Sequence, residues 1–179
     1  KKEEANYIVN LTEEIKTHEK LITEILDFFE QKVNSVDQLI KLLKNNGSAE
    51  RINKLVAEGL FTNRIFEPDA STWESLKGSG DLKLISDLKL KIYLTRLYTS
   101  YSSLKTLADV ILKFIQTDLL KYALNNINLQ QMVFFSIHSA YRADFINLAV
   151  AYKILVDNYR LSLTSTLQLC RQTKQLLES

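Results

Sequence analysis

The sequence predicts an all-α protein, an elongated antiparallel bundle of three long helices with short helices in the connection at residues 48–80. Gly and Pro, the residues that turns require, number only four and one in 179 residues. Apolar residues recur every three or four positions over long stretches, which is typical of amphipathic helices. Hydrophobic residues make up 46% and charged residues 25% of the chain, so its composition is that of a folded globular protein.

The first long helix is predicted over about residues 4–45. Its apolar positions alternate steps of three and four residues, a heptad pattern that lets helices pack nearly parallel. The members of this seam are Ile8, Leu11, Ile15, His18, Ile22, Ile25 and Phe29. The stripe then continues, with a slip in phase, through Val33, Val36, Ile40 and Leu43. Gly47 is expected to end the helix, because glycine is the usual residue just beyond a helix C-terminus.

The region 46–85 connects the first two long helices. A short helix is predicted to carry the apolar residues Ile52, Leu55, Val56 and Leu60. The stretch from Thr62 to Ala70 is expected to be a loop because it contains the only proline, Pro68. Residues 71–80 match a helix with a capping box, in which the Ser hydroxyl and the Glu carboxylate bond to first-turn amides. The structural motif is therefore Ser71, Trp73, Glu74, Gly78 and Gly80.

The second and third long helices are predicted over about 86–125 and 129–177. The second repeats the heptad steps, and its apolar face is wide enough to pack against two neighbours. Asn128 with Gln131 is expected to cap the third helix. The sequence is compatible with a single third helix and with one that is broken at His138-Ser139. Residues 1–179 are accordingly predicted to form one helical-bundle domain.

Charge and composition disfavour several classes of function. The net charge is only +2, and basic residues are mixed with acidic ones along the chain, so nucleic-acid binding is not expected. Apolar runs fall far short of the ~20 residues that a membrane span needs. The single cysteine, Cys170, excludes an intramolecular disulfide. A chain without disulfides is compatible with both the cytosol and a bacterial periplasm.

No catalytic or metal-binding constellation is evident. The sequence has no nucleophile elbow and no phosphate-binding loop, so we expect no enzyme activity, catalytic residue, cofactor or metal. Neither His18 nor His138 follows an acidic residue by three positions, as di-iron bundles require. His18 is interpreted as a partly buried, hydrogen-bonded seam residue. Cys170 lies on the apolar stripe of the last helix and is interpreted as structural.

Tyrosines are concentrated in the second and third predicted long helices. They could line a ligand cavity between helices, which is where bundles build binding sites. The alternative is that their rings pack the edge of the core with the hydroxyls in water, and this is the more usual arrangement. The possible ligand-lining residues are Tyr98, Tyr101, Tyr141 and Tyr152.

The segment from Phe66 to Tyr98 resembles a bacterial family, domain of unknown function 6090, found in Bacteroidetes. The similarity lies in the run Thr72-Trp73-Glu74-Ser75-Leu76-Lys77-Gly78-Ser79-Gly80-Asp81-Leu82 and in the Leu…Tyr ending at Leu94 and Tyr98. The resemblance implies a single membrane helix upstream of this sequence and a domain facing the periplasm from the inner membrane. The family has no established catalytic residues, so none is implied here.

The leading hypothesis from the sequence is a non-enzymatic interaction or scaffold module. Its long heptad seams favour a protein partner or self-association through helices. The alternative is a periplasmic sensor domain of helical-bundle type that binds a small molecule. The resemblance adds an expected membrane attachment through the upstream helix.

Overall fold

The computed structural model describes residues 2–179. About 81% of the chain is helical, so the predicted all-α class is confirmed. The helices are α1 (Lys2–Lys44), α2 (Ala49–Leu60), α3 (Ser71–Gly78), α4 (Leu88–Phe114), α5 (Leu120–Asn126), α6 (Ile137–Ala140) and α7 (Ala143–Leu177). A 3₁₀ turn covers Asp81–Leu84, a π-helical turn covers Ile115–Leu119, and two short strands are β1 (Ile127–Asn128) and β2 (Val133–Phe134). Within 2–179, no helix is both long and apolar enough to cross a membrane.

Residue contacts divide the chain into two compact units, each assembled from segments that are distant in sequence. The first unit contains the residues up to Leu26 together with Ile65–Lys105 and Leu161–Ser179. The second contains Asp27–Arg64 and Thr106–Arg160. The helices α1, α4 and α7 contribute residues to both units.

The first unit buries one apolar stripe from each of its long helices. The predicted seam of α1 is buried from Leu11 to Ile25, whereas Ile8 is only half-buried. The loop that precedes α3 contributes Phe66, which is 1% exposed. Other core residues are Leu76, Leu90, Leu94, Leu97, Leu104, Leu163 and Leu167. Burial of this kind stabilises a fold by about 25 cal/mol per Å² of apolar surface, so these stripes hold the helices together.

The second unit has an aromatic core. Phe29 packs edge to face against Tyr159 with ring centroids 4.9 Å apart, and Phe134 does so against Phe145 at 5.2 Å. The predicted short helix is confirmed as α2, whose apolar residues Ile52, Val56 and Leu60 are fully buried.

Helix α1 ends close to its predicted position but uses a different residue. Asn46, with φ of 49°, takes the left-handed conformation that was expected of Gly47. The Gly47 N–H then donates to the Leu42 carbonyl at 2.8 Å, which satisfies one of the last carbonyls of the helix. Asparagine tolerates this conformation better than other residues with a side chain.

The third long helix begins later than predicted, so the bounds 129–177 and the Asn128–Gln131 helix cap are wrong. Asn128 instead pairs with Val133 in a two-stranded hairpin. Its Oδ1 accepts from the N–H groups of Gln130 and Gln131 at 3.1 and 3.2 Å, which shapes a tight turn. The short helix α6 follows, and α7 starts only at Ala143. The chain therefore breaks at residues 141–142, just after His138-Ser139.

The second long helix, predicted over 86–125, is observed as α4, a π-helical turn and α5. Its start is set by Asp87, whose Oδ1 accepts from the N–H groups of Lys89 at 2.7 Å and Leu90 at 3.2 Å. An aspartate in this position satisfies the first-turn amides that lack helical partners.

Candidate binding groove between α3 and α4

The N-terminus of α3 is capped by residues other than the predicted capping box. Ser71 is the first residue of the helix, and no side chain at the preceding Ala70 position caps it. The Ser71 N–H donates to Asp69 Oδ1 at 3.0 Å, and the Thr72 N–H donates to Glu14 Oε2 at 2.8 Å. The predicted Ser71–Glu74 box is therefore wrong, because two carboxylates already satisfy these amides.

Glu14 also fixes the wall of α4 that faces this region. Its Oε1 accepts a short hydrogen bond from the Tyr98 hydroxyl. Tyr98 in turn stacks on Trp73 of α3, with ring centroids 4.6 Å apart and planes only 4° from parallel. Burial raises the pKa of Tyr98, and the hydrogen bond to Glu14 raises it further, so the phenol stays protonated and donates.

A groove of about 540 Å³ lies between α3 and α4 in the first unit. This volume is within the range of small-ligand sites. We call it the α3–α4 groove. Its α4 wall consists of Thr95, Tyr98, Thr99, Tyr101, Ser102 and Lys105. Its other wall consists of Pro68, Ala70, Trp73, Glu74, Lys77 and Leu82.

Three charged side chains of the groove have no counter-ion among residues 2–179. Glu74, Lys77 and Lys105 are all exposed, and none of them forms an ion pair or a side-chain hydrogen bond within that part of the chain. The Glu74 carboxylate does not cap α3, because Asp69 and Glu14 accept from the first-turn amides instead. The groove therefore offers one carboxylate and two ammonium groups to a ligand.

The hydroxyl groups of the α4 wall are used as donors within the helix. Thr95 Oγ1 donates to the Lys91 carbonyl at 2.9 Å, and Thr99 Oγ1 donates to the Thr95 carbonyl at 2.8 Å. Each hydroxyl has one hydrogen and two acceptor lone pairs. The oxygens of these two threonines are therefore available to the groove as acceptors only.

Tyr101 turns its hydroxyl away from the groove and toward a buried polar chain. His18 Nδ1 lies 3.2 Å from the Tyr101 hydroxyl, and His18 Nε2 lies 2.7 Å from the Asp69 carbonyl oxygen. A carbonyl only accepts, so Nε2 carries the proton and Nδ1 accepts from Tyr101 in the neutral ring. Burial lowers the pKa of His18, which favours this neutral form. The prediction of a hydrogen-bonded seam histidine is confirmed, but the side chain is fully buried and not partly buried as expected.

Cys170 lies next to this hydrogen-bonded chain without extending it. Its Sγ lies 3.9 Å from the Tyr101 hydroxyl and 3.5 Å from the Ile15 carbonyl oxygen, to which the thiol donates. The side chain is fully buried, and burial raises the pKa of the thiol to about 11. A protonated, inaccessible thiol is a poor nucleophile, which favours the structural interpretation.

The structure assigns the four candidate tyrosines to different surroundings. Tyr98 and Tyr101 line the α3–α4 groove. Tyr141 and Tyr152 do not line it and belong to the second unit. The Tyr141 hydroxyl donates to the Gly47 carbonyl at 2.8 Å, and the fully buried Tyr152 donates to Asn63 Oδ1 at 3.1 Å. Tyr152 therefore packs in the core, Tyr141 is half-buried, and the hydroxyls of both hold loop segments.

The two glycines of the predicted motif have different roles. Gly78 is the last residue of α3, and a Cβ at this position would meet no atom within 4 Å. Gly80 has φ of 74° in the left-handed region, where side chains are disfavoured. Gly80 is thus the residue that turns the chain between α3 and the 3₁₀ segment.

Lys32 is a buried residue that the sequence analysis missed. In the second unit it is 3% exposed and donates a short hydrogen bond to the Thr62 carbonyl. Its ammonium also lies over the rings of Phe28 and Tyr152, at 5.5 and 5.4 Å from their centroids. Desolvation lowers the pKa of Lys32 to about 8.

The residues described contain no group of three or more His, Cys, Asp or Glu side chains that could hold a metal ion. Comparisons with protein-family models, with curated proteins and with solved structures found no match to this chain.

Proposed function

We propose that the chain is a non-enzymatic helical interaction module that binds its partner in the α3–α4 groove. The observation that carries the proposal is the hydrogen-bonded position of Glu14, which holds Thr72 of α3 and Tyr98 of α4 at one carboxylate. This contact supports a groove whose walls are set before a ligand arrives. Preorganisation of that kind lowers the entropic cost of binding.

The distribution of polar and apolar groups supports the same proposal. Trp73 and Tyr98 are 4% and 6% exposed and hold the two walls together. The charged groups of Glu74, Lys77 and Lys105 stand exposed around them without intramolecular counter-ions among residues 2–179. An apolar body with a few converging polar groups is the usual composition of a binding site.

The test is to map binding on the whole chain by ¹H–¹⁵N correlation spectra with a library of small fragments. The library contains aromatic carboxylates, amino acids, short peptides and sugars. We expect the largest shift changes at the backbone amides of Trp73, Glu74, Tyr98 and Thr99. Thr99→Arg fills the groove from an exposed position and should abolish these changes. Ser103→Arg, an exposed position on the same helix outside the groove, should leave them intact.

Shift changes that cluster elsewhere, or that survive Thr99→Arg, would contradict the proposal. Binding of a metabolite in the groove, with no binding of peptides, would favour the small-molecule sensor alternative over a protein partner.

Two further parts of the proposal rest on the sequence. The resemblance to domain of unknown function 6090 supports attachment to a bacterial inner membrane through an upstream helix, with the module in the periplasm. Protease accessibility in intact and permeabilised cells tests this location.

The heptad seams support an elongated antiparallel bundle of three long helices, which small-angle X-ray scattering tests through the radius of gyration.

A further inference from the structure

The α3–α4 groove presents hydrogen-bond acceptors on both of its walls. The threonine oxygens of Thr95 and Thr99 accept only, because their hydrogens are donated to carbonyls of α4. The Glu74 carboxylate adds a charged acceptor on the opposite wall. A complementary ligand must therefore carry several N–H or O–H donors along its length.

The cations of the groove differ in their surroundings. Lys77 lies one helical turn after Glu74 on α3, so a carboxylate on its own helix partly offsets its charge. Lys105 lies on α4 at the opposite end of the wall from Thr95. The carboxylate one turn away on its own helix, Asp109, does not line the groove, whereas Glu74 does. Lys105 is therefore the stronger site for an anionic group of a ligand.

The length of the groove limits the ligand. Thr95 and Lys105 are ten residues apart on α4, which corresponds to about 15 Å along the helix axis. An extended chain advances about 3.3–3.6 Å per residue, so about four residues span this distance. A single amino acid would cover only a quarter of it.

We propose that the ligand of the α3–α4 groove is a short extended peptide segment with a free C-terminal carboxylate, which binds Lys105. Its backbone N–H groups donate to Thr95, Thr99 and Glu74, and its apolar side chains pack on Trp73, Tyr98 and Leu82. This inference rests on the proposed function, since it names the chemistry of the ligand at the same groove.

The experiment measures the affinity of the whole chain for the tetrapeptide Ala-Leu-Ala-Leu by isothermal titration calorimetry. The same peptide with an amidated C-terminus is the matched control. We expect the amide to bind about fivefold more weakly, the contribution of one exposed ammonium–carboxylate pair. Lys105→Gln should bind the acid and the amide equally. Lys77→Gln should keep the preference for the acid.

Equal affinities of the wild-type protein for the acid and the amide would overturn the inference. Survival of the preference in Lys105→Gln would overturn it too, because the carboxylate would then bind elsewhere. If sugars or aromatic fragments shift the groove amides while tetrapeptides do not bind, the peptide inference fails. The groove then remains the binding site, and the small-molecule sensor alternative is favoured over a protein partner. If nothing binds in the groove, both fail.

Discussion

Glu14 accepts two hydrogen bonds, one at each carboxylate oxygen. The Tyr98 hydroxyl donates to Oε1, and the Thr72 N–H in the first turn of α3 donates to Oε2. One side chain thus holds Thr72 and Tyr98, which lie 58 and 84 positions after Glu14 in the sequence. Because a carboxylate accepts charge-assisted hydrogen bonds at both oxygens, this arrangement is stronger than two neutral bonds. The relationship fixes α3 against α4 and sets the width of the groove between them.

Removing the Tyr98 hydroxyl should therefore destabilise the protein. Tyr98→Phe keeps the ring and its stacking on Trp73 but leaves one Glu14 oxygen without its donor. We expect the free energy of unfolding to fall by about 1.5–3 kcal/mol, the usual worth of a hydrogen bond to a charged group. Urea unfolding followed by circular dichroism measures the change.

Tyr93→Phe is the matched control for this experiment. Tyr93 lies on the same helix, and its hydroxyl makes no hydrogen bond within residues 2–179. It should change the stability by no more than about 0.5 kcal/mol, the range of ordinary surface substitutions. A similarly small effect of Tyr98→Phe would show that the bond to Glu14 does not hold α3 and α4.

The two glycines after α3 should respond to alanine in opposite directions. Gly80→Ala places a side chain at φ of 74°, which costs about 1–2 kcal/mol although there is space for the methyl group. Gly78→Ala, also in open space but at a helical position, should stabilise by up to about 1 kcal/mol. Thermal unfolding of both variants tests the pair, and equal effects of the same sign would contradict the assignment of Gly80 as the turn residue.

The regular part of the fold is predictable because burial repeats at a helical period. The seam of α1 from Leu11 to Phe29 is buried as its heptad spacing requires. The loop from Thr62 to Ala70 is likewise where its proline indicates. Such signals are local, since each depends only on residues within a few turns of one another.

Helix ends that depend on partners outside the local pattern were mispredicted. The capping box at Ser71 fits the local pattern, but Asp69 accepts from the Ser71 amide in place of Glu74, and Glu14 of another helix caps Thr72. The sequence around Asn128 is compatible with a helix cap and with a turn. The turn forms because Ile127 pairs with Phe134 in the hairpin. The patterns themselves do not distinguish these outcomes, because the deciding partners, Asp69, Glu14 and Phe134, lie outside the residues that carry each pattern.

The heptad spacing of α1 is sufficient to predict that Lys32 is buried. The seam reaches Phe29, and its next step of three gives Lys32, followed after four by Val36; both Phe29 and Val36 are buried. The predicted stripe continues through Val33 instead of Lys32 because valine is hydrophobic, but Val33 is only half-buried. The period of the helix was the better guide here than the polarity of the residue.

Replacing Lys32 should stabilise the protein at neutral pH. With a pKa of about 8 in the folded state against 10.5 ordinarily, the buried ammonium weakens folding wherever it is protonated. Between these two values the unfolded chain binds more protons, so the stability of the wild type rises with pH. We expect Lys32→Met to gain up to about 3 kcal/mol at neutral pH and to lose that advantage near pH 10. Urea unfolding at both pH values measures it.

Lys41→Met on the same helix is the control, because its side chain is exposed. Its effect on stability should be small and should not vary in this way with pH. If Lys32→Met destabilises the protein at every pH, the hydrogen bond to Thr62 and the contacts with Phe28 and Tyr152 outweigh the cost of desolvation.

His18 should make folding sensitive to mild acid. Burial lowers its pKa in the folded state below the ordinary value of 6.5, so the unfolded chain takes up a proton that the folded chain does not. Stability therefore falls as the pH drops below about 6.5 and is independent of this group above it. Protonation also places a hydrogen on Nδ1, and the Tyr101 hydroxyl could then no longer donate to it.

His18→Gln tests this because the amide can still donate to the Asp69 carbonyl and does not titrate. The variant should be less stable than the wild type at about pH 7, but its stability should decline less between about pH 7 and pH 5, a window above the titration of most carboxylates. His138→Gln, at an exposed position of α6, should retain the wild-type decline. Parallel curves for His18→Gln and the wild type would mean that His18 takes up its proton equally in the folded and unfolded states. The hydrogen-bonded chain from the Asp69 carbonyl through His18 to Tyr101 would then not require the neutral ring.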